Sequence, residues 1–153
     1  MADTFEFNCE GLEELERDLT RAIKKCPIYA GETLKGLAKD FKQSAKKKAN
    51  SELKHTKREG DSKKWAISRK WGHKLIDESI GMTALIWNSA PHFHLIENGH
   101  QLVKGGKLGK GGRVIGFIPG KHIMEKTRND YKDIVPERFE KMVDGILKES
   151  DLN

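Results

Sequence analysis

Residues 91–117 read PHFHLIENGHQLVKGGKLGKGGRVIGF, and this stretch decides how the second half of the chain folds. Its first part favours a helix of one to two turns, because its apolar residues then share one face. Pro91 suits the first helical turn, and Gly99 suits the left-handed residue that follows the last turn. The final RVIGFIP is rich in β-branched and aromatic residues and predicts a strand that Pro119 ends. We assign Pro91, Gly99 and Pro119 structural roles.

A flexible basic loop is predicted over residues 99–112, between this helix and this strand. Its glycines give the backbone too much freedom for a fixed phosphate cradle. Gly106 and Gly111 have the Walker A separation, but Gly112 and Arg113 stand where that motif needs Lys and then Ser or Thr. We therefore expect the loop to contact a partner or DNA through four basic residues: Lys104, Lys107, Lys110 and Arg113.

Three histidines and a glutamate in the same stretch suggest a set of metal ligands: His92, His94, Glu97 and His100. In a helix, His92 and His94 lie about 200° apart and do not converge. In an extended chain these two share a face, but Glu97 then points away from them. A zinc site needs three or four converging ligands, so we expect no metal here. Glu97 is instead assigned a structural role as the partner of a nearby positive charge.

Two helices are predicted upstream. The first begins near Gly11 and carries apolar residues at three- and four-residue steps through Cys26, and Pro27 either ends it or opens the next helix. The second covers about residues 28–49, with an apolar stripe on one face and lysines on the other.

A second basic loop is predicted over residues 51–63, which are polar and show no apolar period. Our second choice of interaction residues lies in and beside it: Lys57, Arg58, Lys63 and Lys64. Strand signals follow from Trp65 to Trp71, then in KLIDESIG and in TALIWNS. The links between these segments are too short for crossover helices, so we expect an antiparallel meander.

The C-terminal segment, about residues 121–148, keeps a helical period. Pro136 interrupts it, because the proline ring clashes with the carbonyl four residues back, and this predicts a kink or break near Val135. The predicted fold class is α+β: two N-terminal helices, a small antiparallel sheet of three to four strands, and a long C-terminal helix packed on one face. We expect residues 1–153 to form a single domain.

Positive charge is concentrated in part of the chain. The net charge is +6, and the segment Lys39–Lys74 alone holds thirteen Lys or Arg against four Asp or Glu. Such asymmetry favours an anionic partner. No apolar run approaches the ~20 residues that span a bilayer, and the N-terminus lacks the layout of a signal peptide. We expect an intracellular protein without membrane contact. No motif for nucleophilic catalysis occurs, so we expect neither enzyme activity nor a cofactor.

Several short motifs occur in a distinctive order. They are Asn88-Ser89-Ala90-Pro91, then His94, Glu97 and Gly99, then Pro119-Gly120 with Ile123 and Met124 at the start of the last helix. In this order the chain resembles the tail-component family of long-tailed bacteriophages and prophages, typified by the gene-ten product of a lambdoid phage and also described as tail-completion or head–tail joining proteins. It departs from the usual pattern at His122, where an aromatic or apolar residue is common, and in its longer Lys-rich loop.

The resemblance implies a non-enzymatic assembly role in the head–tail neck of a virion that is assembled in the host bacterial cytoplasm. It implies a homo-oligomeric ring, commonly a hexamer in the virion, while the free protein is allowed to be a monomer. The implied partners are the head connector and the tail-terminator or tail-tube proteins, and flexible segments order on docking. A ring with a basic surface can also pass DNA without reading its sequence.

The residues leave open one alternative of a different class. This is a basic nucleic-acid-binding protein, or a small histidine-dependent nuclease of mobile-element origin, with one histidine of residues 92–100 as general base and lysines holding phosphate.

Overall fold

The computed structural model describes residues 11–53, 67–78, 81–106 and 112–150. These residues form helices together with antiparallel strand pairs, so the predicted mixture of helix and sheet is confirmed. They group into two compact units. The central unit is Leu34–Ile134, and the terminal unit combines residues up to Thr33 with residues from Val135 onward.

Helix α1 spans Leu12–Glu52, so the prediction of two separate N-terminal helices is wrong. Pro27 lies inside this helix of 41 residues. An internal proline removes one hydrogen bond and costs about 3 kcal/mol. Lys25 and Tyr29, on either side of the proline, both donate hydrogen bonds to the Glu149 carboxylate. Predictions from local sequence include the effect of the proline but not these contacts with a residue far away in the chain.

Among the described residues, two separate two-stranded sheets replace the predicted single sheet of three to four strands. In the first, β1 (Trp71–Glu78) pairs antiparallel with β2 (Gly81–Asn88). The strand predicted from Trp65 to Trp71 is wrong in its described part, because Ile67–Arg69 forms a 3₁₀ turn. Trp65 lies outside the described residues.

In the second sheet, β3 (Gly99–Lys104) pairs antiparallel with β4 (Arg113–Pro119). A bulge shifts the register between Leu102 and Val103. The sequence placed residues 99–104 in a loop, and that assignment is wrong, because β4 supplies a partner strand along their whole length. Of the predicted connection, residues 107–111 lie outside the described part of the chain.

Side-chain hydrogen bonds of Asn88 turn the chain out of the first sheet after β2. Its Nδ2 donates to the Ile67 carbonyl at 2.9 Å, and its Oδ1 accepts from the Ala90 N–H at 2.9 Å. Helix α2 (Phe93–Asn98) follows, and the Phe93 ring packs edge-on against Trp71, with 5.2 Å between centroids. Because this helix stands between β2 and β3 in the chain, the strands do not continue as one meander.

The predicted break in the C-terminal helix is confirmed. Helix α3 (Ile123–Asp130) ends at a turn, and helix α4 starts afresh as Ile134–Glu149. Pro136 lies in the first turn of α4, where the missing N–H has no carbonyl partner to lose. The single long C-terminal helix of the prediction is therefore two helices.

The core of the central unit lies where the later turns of α1 meet α3. Ile123 and Thr127 are fully buried there, and Phe41 packs edge-on against Tyr131 with ring centroids 5.1 Å apart. The α1 residues buried in this unit are mostly alanines, which allow helices to approach closely. They are Leu37, Ala38, Ala45 and Ala49.

The first turns of α1 and helix α4 form the terminal unit. Tyr29 Oη donates to Glu149 Oε2 at 2.6 Å, and Lys25 Nζ donates to the same oxygen at 3.1 Å and to the Glu149 carbonyl at 3.2 Å. These donors satisfy the end of α4, where carbonyls lack helical partners and attract positive charge.

Within residues 11–53, 67–78, 81–106 and 112–150, no helix combines the length and the apolar character needed to cross a membrane.

We predict that Tyr29→Phe raises the pKa of Glu149. Hydrogen bonds from Tyr29 and then Lys25 hold that pKa below its ordinary value. A lowered pKa means that the ionised Glu149 carboxylate stabilises the folded state. This contribution to the free energy of unfolding is present above the unfolded-state pKa and is lost as pH falls through the lowered folded-state pKa. NMR titration of the Glu149 carboxyl carbon measures the change. Tyr131→Phe, in the central unit, is the control and leaves the titration unchanged. An unshifted titration in Tyr29→Phe contradicts the assignment.

Candidate functional site

The Glu97 carboxylate closes the N-terminus of α3. Glu97 Oε2 accepts from the Ile123 N–H at 2.8 Å, and Oε1 accepts from the Met124 N–H at 2.8 Å and the Glu125 N–H at 3.4 Å. The first N–H groups of a helix have no carbonyl partners within the helix, and a negative charge is favoured beside them. The expected partner of Glu97, a positively charged side chain, is therefore replaced by the positive end of a helix.

Backbone hydrogen bonds also join the residues before α3 to the end of α2. The Lys121 N–H donates to the Ile96 carbonyl at 2.7 Å, and the His122 N–H donates to the Glu97 carbonyl at 3.2 Å. These two carbonyls belong to the last turn of α2, a helix of six residues that is too short to be stable alone. The end of α2 and the start of α3 thus satisfy each other, and we call this arrangement the Glu97 junction.

Two glycines let the backbones approach at the Glu97 junction. Gly99 has the positive φ that the sequence predicted, +80°, but its ψ of 172° differs from that of a left-handed helical residue. A Cβ there would lie 2.5 Å from the Ile118 carbonyl oxygen. A Cβ on Gly120 would overlap the Glu97 carbonyl oxygen. His122 also adopts a left-handed conformation, with φ 51° and ψ 45°.

The two prolines that were assigned structural roles lie at the boundaries of a helix and a strand and not inside the Glu97 junction. Pro91 is exposed and precedes α2, whose first residue is Phe93, so it does not occupy the first helical turn. Pro119 ends β4 opposite Gly99, as predicted for the end of a strand.

The histidines of the stretch are not gathered into a site. His92 and His94 are exposed, and His100 is half-buried in β3 opposite Ile118. The Glu97 oxygens are already occupied by backbone N–H groups. Across the described residues, no group of three or more His, Cys, Asp or Glu side chains is placed to hold a metal ion.

Two of the predicted interaction residues face each other at one end of a hairpin. Lys104 ends β3 and Arg113 begins β4, they are cross-strand neighbours, and both are exposed. The other predicted interaction residues lie outside the described residues: Lys107, Lys110, Lys57, Arg58, Lys63 and Lys64.

The β3–β4 hairpin has an apolar surface that was not predicted from the sequence. Every residue of β4 is exposed. Six large apolar side chains of the hairpin are between 41% and 63% exposed: Leu102, Val103, Val114, Ile115, Phe117 and Ile118. A signal was present, because VI and FI in β4 place apolar residues in adjacent positions and hence on both faces, whereas a half-buried strand alternates.

Comparison of the chain with protein-family models, with curated proteins and with solved structures finds no match.

We predict that Glu97→Gln destabilises the central unit by about 1–3 kcal/mol, because the capping charge and one acceptor oxygen are lost. Urea unfolding followed by tryptophan fluorescence measures this, since all three tryptophans fall within residues 65–87 of that unit. Glu78→Gln removes the same charge at an exposed strand end and serves as the control, with an unchanged midpoint. Equal midpoints for both variants contradict the capping role.

We also predict that Gly99→Ala destabilises the central unit by about 2 kcal/mol or more, because the added Cβ meets a carbonyl oxygen at a positive φ. Gly36→Ala is the matched control. It lies in α1 with open space around its Cβ, so we expect a gain of about 0.5–1 kcal/mol. The same urea unfolding compares the two. A tolerated Gly99→Ala refutes the close approach.

Proposed function

We propose that this chain is a structural protein of a long-tailed bacteriophage that joins the head connector to the tail by assembling into a ring. The observation that carries the proposal is the β3–β4 hairpin with its exposed apolar side chains. An isolated two-stranded hairpin is marginally stable in water. Large apolar side chains exposed together are typical of surfaces that bind another protein. The hairpin therefore favours an assembly role over a self-sufficient enzyme.

The residues that carry the family resemblance support the same proposal. Glu97 accepts backbone hydrogen bonds at the Glu97 junction, and Gly99 and Gly120 leave room there for close backbone approach. Asn88 makes the hydrogen bonds that turn the chain after β2. The resemblance thus rests on residues that shape the chain at the base of the hairpin. In the proposed role, that base holds the hairpin in position for docking.

One end of the hairpin carries the positive charge expected of the loop. Lys104 and Arg113 are exposed there, on either side of the connection that holds Lys107 and Lys110. We propose that Lys107 and Lys110 contact the head connector or a tail-terminator or tail-tube protein, near passing DNA. In this proposal the ring is a hexamer in the virion neck, built in the bacterial cytoplasm and acting without a cofactor.

Deletion of the gene in the phage or prophage that encodes the chain tests the proposal. We expect filled heads and complete tails that remain separate, counted by electron microscopy, and restoration by the wild-type chain supplied from a plasmid. Phe117→Ser, at 63% exposure, should restore few joined particles because it removes an apolar docking side chain. Ile28→Ser, at 64% exposure in α1, is the control and should restore them.

Two outcomes oppose the proposal. Joined, infectious particles in the deletion strain remove the need for this chain at the neck. Cleavage of DNA or RNA by the pure protein, dependent on divalent metal and abolished by His94→Ala, establishes the nuclease alternative instead.

A further inference from the structure

The two hairpins of the central unit end in opposite charges. The β1–β2 hairpin ends with Asp77 and Glu78, and both side chains are exposed. The β3–β4 hairpin ends with Lys104 and Arg113. Within the described part of the chain, none of these four side chains makes an ion pair. We call the two groups the acidic end and the basic end.

The basic end also carries a local electrostatic cost. Lys104 lies directly opposite Arg113 in the register, and like charges placed opposite each other across strands are destabilising. Asp77 and Glu78 are consecutive on β1, so their side chains project to opposite faces of the strand and place two negative charges at the acidic end. The acidic end of one hairpin therefore carries the charge that relieves the repulsion at the basic end of another.

Both hairpins also leave sheet edges open. Each sheet has two strands in the described residues, so every strand has one edge without a strand partner. Apolar side chains are exposed beside these edges, including Leu85 and Trp87 on β2 and Phe117 on β4. Open edges with apolar neighbours are the surfaces on which strands of another chain add.

We propose that the β3–β4 hairpin of one copy adds to the β1–β2 hairpin of the next copy, with the basic end beside the acidic end. This inference deepens the proposed function and rests on its ring assembly. In this arrangement the acidic end and the basic end lie at the same edge of the combined sheet. Strands β1 and β3 run toward that edge, and β2 and β4 run away from it. The strands in contact are therefore antiparallel when β2 lies beside β3, or when β1 lies beside β4.

The proposed contact uses a different surface on each of the two copies. Such a heterologous interface repeats from copy to copy, and it closes into a ring when the rotation between copies allows it. The contact joins two small hairpins into a four-stranded antiparallel sheet, and independent stability requires three or more strands with an apolar face.

Charge reversal at each end tests the proposal by sedimentation at about 50 mM salt, where exposed charges are weakly screened. One variant carries Asp77→Lys with Glu78→Lys, and the other carries Lys104→Glu with Arg113→Glu. We expect the wild-type chain to self-associate, and each double variant to do so roughly tenfold more weakly, from the loss of two exposed ion pairs. Lys35→Glu with Lys39→Glu, exposed on α1, is the matched control and should associate like wild type.

Recombining the reversed ends separates loss of folding from loss of the contact. A mixture of the two double variants brings a copy with two acidic ends to a copy with two basic ends, and we expect mixed oligomers. The chain with all four substitutions exchanges the two charges and should associate with itself again. Circular dichroism confirms that each variant folds.

Three outcomes overturn the pairing of hairpins: a wild-type chain that stays monomeric at every concentration, double variants that associate like wild type, or no recovery in the mixture and in the fourfold variant. The proposed function fails separately. The chain could self-associate through its hairpins while the deletion strain still joins heads to tails. That result supports the pairing of hairpins and rejects the neck role. In the reverse case, the deletion strain leaves heads and tails unjoined, but the charge reversals do not affect association. That result supports the neck role and rejects the pairing of hairpins.

Discussion

The capping of α3 by the Glu97 carboxylate is the constraint on which the rest of the central unit depends. It binds the end of α2 to the start of α3, and the backbone returns two hydrogen bonds in the opposite direction. Strand β3 begins at Gly99, directly after α2, and β4 ends one residue before Gly120, which leads into α3. Both strands of the hairpin therefore leave from the Glu97 junction, which fixes their base.

Anchoring at its base and pairing with β3 explain how β4 is ordered while every one of its residues is exposed. The junction supplies the connection, and the cross-strand hydrogen bonds supply the pairing. Neither buries the apolar side chains, so free energy from their burial is left for a partner to recover. In an assembly protein, burial of such a surface on docking contributes binding free energy, because folding has not already buried it.

Local signals in the sequence predicted some of this and missed the rest for physical reasons. Gly99 and Pro136 act on their own neighbours, so the positive φ and the break before α4 could be predicted. Pro27 misled because α1 continues across it, with the neighbouring Lys25 and Tyr29 hydrogen-bonded to the distant Glu149. The partners of Glu97 follow more than twenty residues later, beyond the reach of any spacing rule. The mixture of helix and sheet was therefore predictable, whereas the junction was not.

Amide hydrogen exchange on the wild-type chain and Glu97→Gln tests the central role of the junction most directly. We expect the substitution to lower protection at Ile123 and Met124, at Lys121 and His122, and at the cross-strand amides of β3 and β4, because all depend on one connection. Loss of protection confined to Ile123 and Met124, with the hairpin unchanged, would contradict it and reduce Glu97 to a local helix cap.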